Sequence, residues 1–489
     1  MNQRHMTLLT DLYELTMMQG YYEIKDANRT VVFDAFFRTN PSGNGFSICA
    51  GLQQVIEYVK DLVFTEEDID YLRTLGIFQE NFLEGLRNFR FTGDIHAIPE
   101  GTVVFPREPL VKVIAPIMQA QLMEAAILNF VNHQSLIATK TARIVHAAKG
   151  DGIMEFGLRR AQGADAGVYG ARAAMIGGCI GTSNVLTGQM FDVPVKGTHA
   201  HSWIMSFPDE LTAFRAYAKL YPSACILLVD TYDTLGSGVP NAIRVFQEMR
   251  SRGIPLTFYG IRLDSGDLAY LSKKARKMLD EAGFPDAVIS ASNDLDEHLI
   301  ASLKNQGAAI TSWGVGTNLI TSKDNPSFNG VYKLAAIYDE KSGTFIPKIK
   351  LSENTEKITH PGNKAVKRIY DKANGKIIAD LICFADETYR EDEPLLLFDP
   401  VETWKKTLLQ PGTFTIRDLM VPVFRKGKCV YDSPKVMDIR AYCQHEQETL
   451  WDESRRLVNP HEVHVDLSRK LWDCRQELLS EYNRTDGAK

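Results

Sequence analysis

Short apolar runs recur through the middle of the chain, and each is followed by a polar cluster and then by a helix-like stretch. Between residues 138 and 337 the apolar runs are GIMEF, GGCIG, VPVKG, ACILLVD, LTFYGI, AVISA and AITSWG. The order of strand, polar loop and amphipathic helix is typical of parallel βα units. Closed by one more strand, these seven units predict an eight-stranded, TIM-like (β/α) barrel with its active site at the carboxyl ends of the strands.

The regions on either side of this segment follow other patterns. In residues 1–137, strand-like stretches such as TVVFDAFF and LVKVIAP alternate with helical periodicity, which predicts an α/β N-terminal domain. Thr65 followed by Asp68 is a capping-box pattern and predicts the start of a helix. Residues 338–489 are less regular and are predicted to form a C-terminal region that partly returns to the N-terminal domain. The barrel at 138–337 is predicted to be the catalytic domain.

Composition narrows the class of protein. A chain of 489 residues, 44% of them hydrophobic, exceeds what one core usually holds and predicts several domains. The net charge of -6, without a basic run, argues against nonspecific binding of nucleic acid. The seven cysteines contain no CxxC pair, so we expect neither a disulfide framework nor a zinc site. No apolar run approaches the roughly 20 residues of a membrane span, so we expect a cytoplasmic protein without a membrane partner.

The segment GTHAHSW carries two histidines directly after an apolar run. At positions i and i+2 of an extended loop, His199 and His201 would point in opposite directions, which disfavours a metal pair. A loop histidine is most often merely exposed or hydrogen-bonded, but it is also a candidate acid, base or nucleophile. A nucleophilic histidine needs an acceptor on its second ring nitrogen. Asp230, at the end of ACILLVD, is a candidate for that role or for a helix N-cap.

Two glycine-containing turns predict a phosphate site. In RLDSGD, Arg262 and Asp264 alternate along a strand end, and the next two residues are predicted to open a helix whose N–H groups would bind phosphate. The segment GVGTN repeats this design after the last apolar run. The candidate residues for binding a phosphate-bearing substrate are Asp264, Ser265, Gly266, Asn293, Gly314, Gly316 and Thr317.

The segment EFGLRR places an aromatic ring beside arginines at another strand end. Phe156 next to Arg159 suits a flat anionic ring, although a core phenylalanine with solvated arginines is an alternative interpretation. Taken together, the residues predict a phosphate-handling barrel enzyme without naming its substrate.

Five motifs, LLTDLYELTM, EFGLRRAQG, GTHAHSW, GIRLDSGDL and WGVGTN, resemble in this order the nicotinate phosphoribosyltransferase family. The resemblance implies an α/β protein with the irregular TIM-like barrel of type II phosphoribosyltransferases and an α/β N-terminal domain. It also implies a homodimer with shared active sites. The expected substrates are nicotinate, phosphoribosyl diphosphate and ATP, with Mg²⁺ as cofactor and metal ligands unknown. The activity implied is nicotinate mononucleotide synthesis for NAD, coupled to ATP hydrolysis through a phosphohistidine and therefore classified with the ligases.

The resemblance also assigns roles to individual positions. His201 corresponds to the phosphorylated histidine and Asp230 to its carboxylate partner, whereas His199 falls in the variable position of the motif and receives no role. Asp264 corresponds to a ligand of the ribose hydroxyls, and Gly316 and Thr317 to the phosphate site. The expected nicotinate-binding residues are Tyr13 (from the partner subunit in relatives), Phe156, Arg159, Thr198, Ser183 and Arg262.

Other activities stay open at this point. Nicotinamide phosphoribosyltransferases of the same fold carry an aspartate where this chain has Ser183, and a carboxylate there would repel nicotinate. Quinolinate phosphoribosyl transfer is a second alternative. A barrel aldolase or isomerase needs a buried lysine or glutamate at a strand end, for which Lys196 is an awkward candidate. A nucleotide-binding regulator without catalysis is the non-enzymatic alternative.

Overall fold

The computed structural model describes residues 5–354 and 357–485. It divides into two compact units. Unit 1 comprises the residues up to 136, 327–434 and those from 442 onward, and unit 2 comprises residues 137–326 and 435–441.

The described residues form both strands and α-helices. The strands are β1 Thr30–Phe37, β2 Ser47–Ile48, β3 Asp94–Ala97, β4 Val103–Val104, β5 Val111–Pro116, β6 Gly152–Glu155, β7 Gly181–Thr182, β8 Cys225–Leu228, β9 Tyr259–Leu263, β10 Val288–Ala291, β11 Ser312–Val315, β12 Gly330–Asp339, β13 Thr344–Pro347, β14 Lys364–Asp371, β15 Ile377–Phe384, β16 Leu395–Phe398, β17 Lys406–Leu409, β18 Phe414–Asp418, β19 Val421–Arg425, β20 Lys428–Cys429 and β21 His464–Leu467. The α-helices are α1 Leu12–Glu23, α2 Leu52–Lys60, α3 Glu66–Thr74, α4 Glu80–Leu86, α5 Ile117–Leu122, α6 Glu124–Ala147, α7 Ala164–Ile176, α8 Val185–Phe191, α9 His201–Met205, α10 Glu210–Leu220, α11 Val239–Ser251, α12 Leu268–Glu281, α13 Glu297–Asn305, α14 Thr317–Ile320, α15 Val436–Glu448 and α16 Arg469–Thr485.

Unit 1 is built on a seven-stranded antiparallel sheet in the order β13-β12-β1-β5-β3-β19-β20. Its interior strand β1 is almost entirely buried and pairs with β5 on one side and β12 on the other. A second sheet has the order β18-β14-β15-β21. The predicted capping box is confirmed, because Thr65 and Asp68 exchange side-chain to backbone hydrogen bonds at the start of α3.

Unit 2 contains a parallel sheet of six strands in the order β7-β6-β11-β10-β9-β8. The interior strand β11 and the edge strand β8 are both buried along their whole length. The predicted alternation of parallel strands and helices is therefore confirmed.

The predicted closed eight-stranded barrel is not formed by the described residues. VPVKG contributes only one bridge, between Val195 and Thr182, because Pro194 lacks the N–H that would extend a ladder. At the other end of the sheet, the Leu228 N–H of β8 donates to the His199 ring (3.3 Å) instead of to a strand carbonyl. The sheet therefore has two separate edges, at β7 and at β8.

The prediction that Ser265 and Gly266 open a helix is wrong, because the helix begins two residues after Gly266. The helix α12 begins at Leu268, and its N-cap is Asp267, whose carboxylate accepts from the Tyr270 N–H at 2.9 Å. Gly266 adopts a left-handed φ of 78° ahead of this cap, a conformation that favours glycine. The two predicted phosphate ligands therefore lie in the loop.

Two predicted absences can be compared with the structure. All seven cysteines are free thiols, which agrees with the prediction that they form no disulfide framework. In the described part of the chain, no helix is long and apolar enough to cross a bilayer.

Candidate functional site

Polar side chains follow the carboxyl ends of neighbouring strands in unit 2. Asp264 directly follows β9 and Ser292 directly follows β10, while Asp230 lies two residues beyond β8. Because the strands are parallel, their carboxyl ends lie along one edge of the sheet, where open α/β sheets bind ligands. The sheet thus brings together residues that are far apart in sequence.

The Arg262 guanidinium lies at the centre of a hydrogen-bond network at this edge. Its Nε donates to Ser292 Oγ (3.0 Å), and its Nη1 donates to Thr198 Oγ1 (2.8 Å) and to the His199 carbonyl (3.2 Å). Its Nη2 lies 3.4 Å from Asp264 Oδ1, which also accepts from Ser292 Oγ. The side chain is 15% exposed, so the cation is oriented by its partners but still reaches solvent.

Asp230 connects the loops that follow β8 and β9. Its Oδ2 accepts from the Asp264 N–H and from Ser265 Oγ, both at 2.7 Å. Its Oδ1 is buried and has no hydrogen-bond partner in the part of the chain that the structure describes. The carboxylate therefore holds the Asp264 loop and keeps one oxygen unused.

The His201 ring begins α9 and is 38% exposed. Its Nδ1 is 3.0 Å from Thr231 Oγ1, and its Nε2 is 3.6 Å from Asp264 Oδ2. The direct contact expected between His201 and Asp230 is absent from the described residues; instead the ring contacts Thr231, which follows Asp230 in the chain, and Asp264, whose N–H donates to Asp230.

Phe156, which directly follows β6, packs closely against β11. Its N–H donates to the Val315 carbonyl at 2.8 Å. A Cβ at Gly314 would lie 2.5 Å from the Phe156 ring, and one at Gly316 would lie 3.2 Å from its carbonyl. Gly314 and Gly316, which were predicted as phosphate ligands, thus make the space that the Phe156 segment occupies.

A buried carboxyl group supports the ends of β6 and β7. Glu155 accepts from Thr182 Oγ1 at 2.5 Å and from the Gly157 N–H, and its carbonyl accepts from the Ser183 N–H at 2.9 Å. Burial raises the pKa of Glu155, although the bonds from Thr182 and Gly157 act in the opposite direction. Glu155 therefore ties the segment carrying Phe156 to the one carrying Ser183.

The other predicted residues lie outside these contacts. Arg159 and Asn293 are exposed, and Asn293 has a left-handed φ of 101°. Thr317 begins α14. Tyr13 belongs to α1 of unit 1 and is 47% exposed. Within the described ranges, no group of three or more His, Cys, Asp or Glu side chains is placed to hold a metal ion.

Family models match three segments of the chain. They describe the nicotinate phosphoribosyltransferase N-terminal domain at residues 8–132, the nicotinate phosphoribosyltransferase family at 152–374 and its C-terminal domain at 363–475. The nicotinate phosphoribosyltransferase of Bacillus subtilis is 47% identical over 476 residues, which is 97% of this chain and 96% of the relative. The chain belongs to the nicotinate phosphoribosyltransferase family. This confirms the resemblance inferred from the five motifs.

More distant members of the nicotinate phosphoribosyltransferase family also match over nearly their full length. The human enzyme of that name is 31% identical over 521 residues, covering 95% of both chains. The crystal structure of human nicotinic acid phosphoribosyltransferase covers 96% of this chain and 100% of its own, with a TM-score of 0.82 and 29% identity. The fold of both units is therefore that of the family.

Four side chains that received no role from the sequence contact the predicted site of this nicotinate phosphoribosyltransferase family member. They are Glu155, His199, Thr231 and Ser292. Ser292 could have been found, because it occupies the same position after β10 that Asp264 occupies after β9. Glu155 could have been suspected as a charged residue at the end of an apolar run, whereas Thr231 carries no such signal.

Proposed function

We propose that this chain joins nicotinate to C1 of the ribose of phosphoribosyl diphosphate, forming nicotinate mononucleotide and diphosphate on the route to NAD. Family membership over nearly the whole chain supports this activity. The observation that carries the proposal is the oriented guanidinium of Arg262. Its four hydrogen bonds use the Nε–H, both N–H groups of Nη1 and one N–H of Nη2. The second N–H of Nη2 is therefore left for a carboxylate or phosphate.

The packed segment around Phe156 suits the pyridine ring. An aromatic ring held in place by its close contact with Gly314 offers a stacking surface. Ser183, at the end of the neighbouring strand, carries no negative charge that would repel the nicotinate carboxylate. These two features favour the acid over the amide as substrate.

The reaction breaks the bond between C1 and the diphosphate oxygen, and the nicotinate ring nitrogen forms the new bond to C1. An oxocarbenium-like centre develops between these steps, and the electron pair of the broken bond leaves with diphosphate. Holding both reactants in line supplies part of the expected rate enhancement. Asp264 would hold the ribose hydroxyls, and Arg262 would bind the negative charge next to them.

Mg²⁺ is expected from the family, and the carboxylates at the edge of the sheet fit it. Magnesium is usually bound by one or two carboxylates together with substrate phosphates rather than by a complete protein cage. The unused Oδ1 of Asp230 and the partly exposed Asp264 would hold it. When bound, it would neutralise charge on the departing diphosphate.

We further propose that ATP phosphorylates His201. In the tautomer whose Nδ1–H donates to Thr231, Nε2 carries the lone pair. Attack of Nε2 on the γ-phosphorus forms an N–P bond as the bond to ADP breaks, and water later hydrolyses the phosphohistidine. A phosphoryl group there would add negative charge near Asp264 and bound diphosphate, which would couple ATP hydrolysis to substrate binding and product release.

The proposal includes a homodimer in which Tyr13 of one protomer contributes to the partner's site. The half-exposed ring of Tyr13 on α1 is available for such a contact. A Tyr13→Ala chain mixed with a His201→Ala chain should recover ATP-coupled activity if sites are shared, and light scattering should report the mass of a dimer.

The test uses the purified chain with Mg²⁺, phosphoribosyl diphosphate and one of three pyridines, with and without ATP. We expect nicotinate mononucleotide from nicotinate and little product from nicotinamide or quinolinate. ATP should raise the rate, release ADP with turnover and label a histidine from γ-labelled ATP. Product from nicotinamide alone would reassign the substrate, and no mononucleotide from any pyridine would refute the proposed activity.

A further inference from the structure

His199 occupies the variable position of the GTHAHSW motif, yet it is 8% exposed and contacts the main chain of a strand. Its Nε2 accepts from the Leu228 N–H at 3.3 Å. The flanking N–H groups of Cys225 and Val229 donate to carbonyls of the β9 side, at Phe258 and Arg262. Because N–H groups alternate along a strand, the Leu228 N–H faces the edge of β8 beside which the described residues place no strand.

The acceptor role requires a neutral ring with its proton on Nδ1. Burial lowers the pKa of His199 to about 4, and the nearby charge of Arg262 acts in the same direction. The ring also packs against Tyr217 of α10, with centroids 4.6 Å apart. At neutral pH the His199 side chain is therefore uncharged, packed against Tyr217 and able to accept a hydrogen bond.

The same short loop contacts the proposed site at three further points. The His199 carbonyl and the Thr198 hydroxyl both accept from Arg262 Nη1, and His201 Nδ1 contacts Thr231 Oγ1 beyond the end of β8. The bond from Leu228 is the contact that fixes this loop to β8 itself.

We propose that His199 is a positioning residue whose ring takes the place of the missing neighbouring strand at the edge of β8 and thereby sets the positions of Thr198 and His201. The inference rests on the proposed function only for the expected change in kcat. The contact with Leu228 can be tested independently of that function. His199 does not touch the reacting atoms in this proposal.

Two substitutions separate hydrogen bonding from packing. His199→Gln places an amide oxygen near the position of Nε2 and keeps an acceptor, whereas His199→Phe keeps the ring contacts and removes the acceptor. We expect His199→Phe to lower kcat by about tenfold with little change in KM for phosphoribosyl diphosphate, and His199→Gln to stay within about threefold of the wild type. His298→Phe, at an exposed position of α13, is the matched control.

Amide hydrogen exchange at Leu228 gives a readout that needs no activity. The amide should be protected in the wild type and in His199→Gln, and it should exchange about tenfold faster in His199→Phe. If the phenylalanine variant does not fold, His199→Asn, whose shorter side chain cannot reach Leu228, replaces it in both measurements.

Equal kcat in the Gln and Phe variants, or equal protection of Leu228 in both, would overturn the positioning role. A wild-type chain that makes no mononucleotide but shows the expected exchange pattern would refute the proposed function and leave the contact between His199 and Leu228 intact.

Discussion

The carboxyl ends of β8, β9 and β10 differ from those of β6, β7 and β11 in how their side chains are held. At the first set, Arg262, Asp264 and Asp230 are fixed by hydrogen bonds between charged and polar groups, and most remain partly exposed. At the second set, Phe156 is fixed by close contact with Gly314, above a buried Glu155. We call these the polar side and the packed side.

The difference indicates that the two sides control different kinetic properties. Hydrogen-bonded charges at the polar side suit the charged ribose phosphate and diphosphate, whose charge changes during the reaction. Close packing at the packed side suits a flat ring that changes little until bond formation. Substitutions on the polar side should therefore lower turnover, whereas those on the packed side should change affinity and selectivity.

The largest effect is expected at His201. His201→Ala removes the proposed nucleophile and should abolish ATP hydrolysis, while some ATP-independent formation of mononucleotide remains. The measurement compares ADP release and mononucleotide formation with and without ATP. His298→Ala, exposed on α13, is the control, and full ATP coupling in the His201 variant would move the phosphorylated position elsewhere.

The next largest effect is expected at Arg262. Arg262→Lys keeps the positive charge but loses the planar fork that contacts Ser292, Thr198 and Asp264 together. Since hydrogen bonds to charged groups contribute about 1.5–3 kcal/mol each, we expect kcat/KM to fall by about 10²-fold. Arg244→Lys on the exposed face of α11 should change it little. An equally small loss at Arg262 would show that charge alone is sufficient there.

Local patterns predicted much of this arrangement. Apolar runs identify strands and the residues after them identify loops, and both signals depend on neighbouring positions. Parallel pairing then places Thr198, Asp230, Arg262 and Asp264 at one edge of the sheet, as the pattern of apolar runs and polar clusters predicts. The strands TVVFDAFF and LVKVIAP were also predicted, and they form β1 and β5.

Features that depend on long-range pairing were not predicted. Closure of the sheet requires two distant segments to exchange backbone hydrogen bonds, and the His199 ring occupies one of the required donors. A side-chain acceptor for a strand edge leaves no periodic signal in the sequence. Likewise, three candidates for the N-terminus of α12 stand in a row, and only geometry distinguishes Asp267 from Ser265 and Gly266.

On the packed side, Ser183→Asp tests selectivity. A carboxylate at this position should repel nicotinate and attract the amide of nicotinamide, shifting the ratio of kcat/KM values toward nicotinamide by about 10-fold to 100-fold. Competition between the two pyridines measures the ratio directly. Ser183→Asn is the neutral control of similar shape. Unchanged selectivity in the Asp variant would place the nicotinate carboxylate away from β7.

A smaller effect is expected from Gly314→Ala. The added Cβ would meet the Phe156 ring at 2.5 Å, so the ring must tilt away from β11. Losing part of a stacking interaction, which contributes about 0.5–1.5 kcal/mol, should raise KM for nicotinate about fivefold with little change in kcat. Gly20→Ala in α1, where the new methyl group meets nothing within 4 Å, is the control. A fall in kcat at unchanged KM would contradict the assignment of Phe156 to ring binding.

The smallest effect is expected on stability, at Glu155. Because burial raises its pKa in the folded state, the folded protein binds a proton more readily than the unfolded chain. The associated stabilisation is present at acidic pH and is lost as pH rises from the unfolded pKa of about 4.3 through the folded pKa. Glu155→Gln cannot ionise, so its unfolding free energy relative to the wild type should increase with pH.

Urea unfolding of the wild type and Glu155→Gln at pH 5 and pH 8 measures this dependence. Glu281→Gln, which removes an exposed carboxylate of α12, should show no comparable change between the two pH values. A Gln variant that loses stability relative to the wild type as pH rises would mean that the ionised carboxylate is favoured at the end of β6. The packed side would then be held by an ionised group, as the polar side is. That result would contradict the distinction between the two sides at Glu155.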